Sequence, residues 1–113
     1  MARYTLTARV RGKVTHERFD DLESALAELE RRGHALQGRA DADVVGGSLV
    51  RRFEPEDQVT ARLELSGPRR LRLGVDVRGD GSAVPFTGRL IRNQVQRAAG
   101  ESAYDALRRA SAE

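Results

Sequence analysis

Long stretches of the chain alternate between apolar and polar residues, which is the pattern of β-strands that bury one face. The first stretch covers Tyr4–Val10, and after a turn at Arg11–Lys13 the chain returns over Val14–Phe19. Two strands joined by so short a turn form an antiparallel hairpin. The chain is therefore expected to open with a two-stranded hairpin.

The register of this hairpin has two interpretations, because a shift by one residue exchanges the two faces of a strand. A three-residue loop places His16 on the buried face. A two-residue loop, with Val10 opposite Thr15, places Phe19 there instead, together with Glu17. A β-bulge near the turn would reconcile the two patterns.

A helix is predicted directly after the hairpin. Asp20 is its expected N-cap, with Glu23 completing a capping box three residues later. Gly33 is expected to end the helix as a left-handed C-terminal residue. Apolar residues at helical spacing form the stripe that should face the core: Leu22, Ala25, Leu26 and Leu29.

The remainder of the chain predicts a meander and a closing helix. Residues 34–58 lack periodicity, and we expect one strand near 48–54 with a mobile loop before it. Regular alternation then predicts strands over 59–66, 70–78 and 84–90, the last two joined by a four-residue loop at Gly79–Ser82. Ser102 and Asp105 form the capping box of a final helix that ends near Ala112.

These elements predict a single α+β domain over residues 1–113. The expected order is β-β-α-(β)-β-β-β-α, with an antiparallel sheet of five or six strands and the main helix packed on one face. A chain of 113 residues is long enough for one core of this kind.

Composition excludes several classes of protein. Hydrophobic residues make up 39% of the chain and charged residues 33%, which is typical of a polar globular domain. There are no cysteines, so disulfides, thiolate metal sites and cysteine nucleophiles are excluded. We expect no membrane segment and no signal peptide, because apolar runs are short, and we expect a cytoplasmic location.

The motifs of catalysis and cofactor binding are missing from the sequence. His16 and His34 stand alone, and no serine lies in a nucleophile motif. We therefore predict no metal and no cofactor. The sequence favours a protein that is not an enzyme, although a pocket with paired carboxylates can be assembled in space without any sequence motif.

Positive charge is concentrated in the second half of the chain. Residues 1–57 carry 10 basic and 11 acidic side chains, whereas residues 58–113 carry 10 and 6. Nineteen of the 20 basic residues are arginine, which suits bidentate contacts to phosphate. A genome rich in G and C produces the same bias, because its codons favour arginine over lysine.

The outer face of the meander is the candidate binding site. By strand parity it carries five arginines against only Glu64 and Asp76, and the four-residue loop would bring Arg72 close to Arg89. Such a stripe suits phosphate contacts, but it lacks aromatic residues on which bases could stack. The candidate binding residues are Arg62, Arg70, Arg72, Arg78 and Arg89.

Three functions are compatible with these observations. The first is a small binding or assembly module that acts through protein–protein contacts, including self-association at exposed strand edges. The second is binding of nucleic acid (RNA or the ribosome) through the arginine-rich sheet face. The third is a small enzyme whose pocket the sequence does not reveal.

Overall fold

The α+β architecture predicted from the sequence is confirmed by a computed structural model, which describes residues 3–45, 59–88 and 91–112. The elements are β1 (Tyr4–Val10), β2 (Lys13–Phe19), α1 (Leu22–Val45), β3 (Val59–Gly67), β4 (Leu71–Arg78), β5 (Ala83–Thr87), β6 (Asn93–Gln94) and α2 (Ala103–Ser111). The sixth strand is β6, whereas the strand expected near 48–54 lies outside the described residues.

All six strands form one antiparallel sheet in the order β2-β1-β3-β4-β5-β6. Helix α1 packs across β1 to β4, and α2 packs on β4 and β5 and also touches α1. Both helices contribute to one core cluster with the same sheet residues, so they cover the same face. The opposite face of the sheet, here called the open face, carries no helix among the described residues.

The core lies between the sheet and the two helices, as the alternation predicted. The strands contribute alternate apolar side chains, and the predicted stripe of α1 covers them. Burial of this apolar surface is the main source of stability, at about 25 cal/mol per Å². The largest fully buried side chains include Leu6, Leu29, Leu63, Leu65, Leu73, Val75 and Leu107.

The first hairpin has a two-residue loop, but its register differs from both sequence interpretations. Val10 lies opposite Lys13, so Thr15 lies opposite Ala8. Phe19 is on the helix-covered face, where it packs against the core. His16 is on the open face, because it lies opposite Thr7.

Two predictions about α1 are wrong. Asp21 rather than Asp20 caps the helix, because the Ser24 N–H donates to an Asp21 carboxylate oxygen at 2.7 Å. Gly33 does not end the helix, which continues to Val45 through part of the segment expected to be a loop. The absent side chain of Gly33 makes room for Tyr104 of α2, since a Cβ there would lie 2.1 Å from the Tyr104 hydroxyl.

Strand β5 is shifted by one residue relative to the prediction. Val77 pairs with Ala83, and the Arg78 N–H donates to the Ser82 carbonyl at 2.9 Å, so three residues (79–81) rather than the expected four separate the last facing residues. This shift turns Phe86 onto the open face, where it lies opposite Gly74. It also places Gly88 opposite Arg72, since the Gly88 N–H donates to the Arg72 carbonyl at 3.0 Å. Arg89, which was expected close to Arg72, lies outside the described residues.

The capping box of α2 is present as predicted. The Ser102 side chain accepts from the Asp105 N–H, and the Asp105 carboxylate accepts from the Ser102 N–H. No helix among the described residues is both long enough and apolar enough to cross a membrane.

Candidate functional site

An arginine-lined cleft lies at the end of the sheet where β3 turns into β4. It encloses about 1030 Å³, and the last turn of α2 and the end of β5 form its other walls. No acidic residue is among the described residues that line it. We call this site the arginine cleft, and its polar lining residues are Arg3, Ser66, Arg69, Arg70, Arg72, Thr87 and Arg109.

The β3–β4 turn presents two of these arginines in an unusual backbone conformation. Arg69 has φ of 60° and Arg70 has φ of 59°. The Leu71 N–H donates to the Pro68 carbonyl at 3.2 Å, which closes a four-residue turn. Positive φ at both central residues defines the type I′ turn, a geometry that favours Asn-Gly rather than two side chains as large as arginine.

Four arginines of the cleft keep their charge uncompensated. Arg3, Arg69, Arg70 and Arg72 form no ion pair with any residue that the structure describes. Arg109 differs from them, because its guanidinium contacts the Glu101 carboxylate at 3.0 Å. Among the described residues the cleft is therefore a concave, positively charged surface of a kind that can accept an anion.

Of the five arginines predicted from the sequence, the four that the structure describes are not gathered into one stripe. Arg70 and Arg72 line the arginine cleft, and Arg89 lies outside the described residues. Arg62 lies on the open face, and its Nε donates to Asp76 at 2.5 Å. Arg78 lies at the far end of β4, about 23 Å from Leu71 at the usual rise per residue.

The charged side chains described in the middle of the open face form ion pairs with one another. The hydrogen bond to Asp76 raises the pKa of Arg62 above its ordinary value. Glu64 has Arg9 at 3.5 Å and Arg92 at 3.6 Å. Phe86 lies under the Arg62 and Arg92 guanidiniums, with 5.7 and 5.6 Å to its ring centroid, and is only 4% exposed.

A polar cluster joins α2 to α1 and to the β4–β5 turn, at the end of β4 opposite the cleft. The Tyr104 hydroxyl donates to Gln37 Oε1 at 2.6 Å, and Gln37 donates to the Gly81 carbonyl at 2.9 Å. Burial, and to a smaller extent the charge of Glu30, raises the pKa of Tyr104 to about 12. Tyr104 thus stays neutral at physiological pH, and its role here is structural.

The cleft has the chemistry of a binding site. Among the described residues no group of three or more His, Cys, Asp or Glu side chains could hold a metal ion. Its lining offers guanidinium and hydroxyl donors but neither a carboxylate nor an imidazole that could transfer a proton near neutral pH. The arrangement can bind an anion such as a phosphate through charge-assisted hydrogen bonds.

Sequence reasoning missed three of the cleft's arginines. Arg69 is next to Arg70 at the tip of the turn, and the Arg-Arg pair there lacks the Asn-Gly residues that normally signal this type I′ geometry. Arg3 reaches the site because β1 pairs with β3, with Thr5 opposite Ser66. Arg109 depends on the docking of α2, for which a single sequence carries no signal.

Comparison of the chain with family models, with curated proteins and with solved structures finds no match. Function is therefore inferred from the geometry of the described residues.

Proposed function

We propose that the protein is a non-catalytic binding module whose arginine cleft holds the phosphates of a nucleic acid. The observation that carries the proposal is the set of four arginines without ion pairs in a concave site that no described carboxylate lines. Phosphate contacts of this kind supply affinity without reading sequence. We expect binding with little sequence preference, in keeping with a cytoplasmic partner such as RNA.

The backbone of the β3–β4 turn gives independent support. A left-handed conformation costs an ordinary residue about 1–2 kcal/mol. Two consecutive arginines that line the cleft, Arg69 and Arg70, adopt this conformation, whereas the β1–β2 turn has one such arginine, Arg11, followed by a glycine. Strained backbone of this sort is concentrated at functional sites.

Self-association through β2 is the second candidate, because β2 is an edge strand of the sheet. Its Val14 side chain is 45% exposed, which leaves apolar surface for a partner strand. The same strand carries Lys13 and Arg18, and charges at an edge oppose pairing with another chain. Light scattering at high concentration tests this candidate: a strict monomer would remove it.

The main test is a salt titration of binding to a single-stranded oligonucleotide, followed by fluorescence anisotropy. Each phosphate contact contributes a slope of about −0.7 in log K against log salt for single strands. Four arginines then predict about a 50-fold loss of affinity between about 50 and 200 mM salt. Binding that does not change with salt, or no binding at all, contradicts the proposal.

A double substitution in the turn localises the binding. R69N/R70G removes two phosphate contacts and should weaken binding about 25-fold at ~0.1 M salt. For this variant, the decrease in affinity between about 50 and 200 mM salt should be only about sevenfold. The matched control is R11N, which removes one arginine from the β1–β2 turn at the other end of the sheet, also at positive φ. R11N should leave affinity within about twofold, because a charge that distant is screened.

A further inference from the structure

Beyond the arginine cleft, one row of the open face continues its positive surface. Directly opposite residues of neighbouring strands project from the same face of a sheet. Arg72 lies opposite Ser66, Ser66 lies opposite Thr5, and Thr5 lies opposite Arg18. We call this the Arg18–Arg72 row, and it starts in the cleft, because Arg72 and Ser66 also line that site.

The charges of this row are uncompensated, unlike those in the middle of the same face. Arg18 is exposed and forms no ion pair with the described part of the chain. Two hydroxyl side chains lie between the two arginines, and hydroxyls donate readily to phosphate oxygens. Arg62 and Arg92, by contrast, are held by Asp76 and Glu64.

We propose that a single-stranded nucleic acid leaves the arginine cleft and crosses the sheet along the Arg18–Arg72 row, which makes the site selective for single strands over duplexes. This inference rests on the proposed function. The row spans three strand spacings, about 14 Å, and therefore has room for further phosphates beyond those in the cleft.

Selectivity follows from the shape of the path. The cleft reaches the helix-covered side of the sheet at Leu73 and Ala110, whereas the row lies on the open face, so a ligand that occupies both must bend around the sheet end. A single strand bends freely over this distance. A DNA duplex has a persistence length of about 50 nm and cannot follow such a turn at low cost.

Recognition along this path uses the backbone of the nucleic acid. No aromatic side chain belongs to the row, and Phe86 of the same face is covered by two guanidiniums. Base stacking therefore contributes little, and binding should depend on strand length and salt rather than on sequence.

The test compares oligothymidylates of about four and about twelve nucleotides, which bracket the usual size of such sites. The longer strand should gain at least one contact, and Arg18→Gln should abolish that gain, a loss of about fivefold at ~0.1 M salt. The same substitution should not change binding of the shorter strand. Because Arg18 is exposed, the change should leave the melting temperature of the protein essentially unchanged.

Arg9→Gln is the matched control, since it removes the same charge from the same face. Arg9 lies on β1 about 13 Å along the strand from Thr5, beyond the screening length of about 10 Å at 0.1 M salt. It should change affinity less than twofold for either strand. A twelve-base-pair duplex should bind more weakly than the single strand of the same length.

The outcomes separate the two proposals. If R69N/R70G weakens binding but strand length and Arg18→Gln have no effect, the path along the row is wrong and the arginine cleft remains the binding site. A duplex that binds as tightly as the single strand also overturns the path. If no oligonucleotide binds, both proposals fail.

Discussion

Replacing the two arginines of the β3–β4 turn should stabilise the fold while it weakens binding. Arg69 and Arg70 have φ near 60°, a conformation that costs an L-residue with a full side chain about 1–2 kcal/mol. Asparagine tolerates it and glycine adopts it without strain, so R69N/R70G relieves most of that cost. The new glycine reduces this stabilisation by about 0.4–1 kcal/mol, because it makes the unfolded chain more flexible.

The expected balance is a gain of about 1–2 kcal/mol, which raises the melting temperature of a domain of this size by about 4–8 °C. Urea denaturation followed by circular dichroism measures it, and the slope with denaturant should not change. R11N changes the corresponding position of the other hairpin, where φ is 52°, and should also stabilise. A double variant that is neutral or less stable, beside an R11N variant that gains stability, would refute the argument from strain at Arg69 and Arg70.

Three further predictions concern the rest of the fold. Gly33→Ala should destabilise the fold by more than about 2 kcal/mol, because its Cβ would overlap Tyr104. In the same helix a Cβ at Gly38 meets nothing within 4 Å, so Gly38→Ala should raise the free energy of unfolding by up to about 1 kcal/mol. Thermal melts of the two variants measure both changes. Hydrogen bonds from Arg31, then Arg32, lower the pKa of Glu28 from 4.5 to about 2, so the stability this carboxylate contributes is full above pH 4.5 and falls as the pH drops towards 2. Glu28→Gln should flatten that decline, which melting curves at acid pH measure. The raised pKa of Tyr104 makes the stability of the fold decrease as the pH rises from 10 towards 12. Tyr104→Phe should abolish this decrease in melting curves at alkaline pH. At neutral pH the same variant should lose about 1–2 kcal/mol of stability, because the hydrogen bond from Tyr104 to Gln37 is missing.

Much of the fold could be predicted because its signals are local. Alternation placed β1, β3 and β4, and the spacing of Leu22, Ala25, Leu26 and Leu29 placed the buried face of α1. The capping box at Ser102 and Asp105 is also local, and it fixed the start of α2 to one residue. Each of these features depends on residues within one or two turns of the chain.

The rest depended on contacts between distant segments. Gly33 has the residue type of a helix end, but the helix continues through it, and the Tyr104 ring against it accounts for the glycine. A shift of one residue in the pairing of β4 with β5 reversed the faces of β5 and moved Phe86 to the open face. The candidate site was incomplete for the same reason, since Arg3 and Arg109 reach the arginine cleft only through strand pairing and helix docking.

The pairing of β1 with β3 has a consequence for the kinetics of folding. The hairpins β1–β2 and β3–β4 have short turns and can form within microseconds. The pairing of Thr5 with Ser66 brings together residues that are far apart in the chain, and non-local contacts of this kind form slowly. The arginine cleft draws Arg3 from one hairpin, Arg70 from the other and Arg109 from α2, so it exists only after all three have docked. A ligand of the cleft therefore binds the finished fold and not its precursors, and it should slow unfolding while leaving the folding rate unchanged.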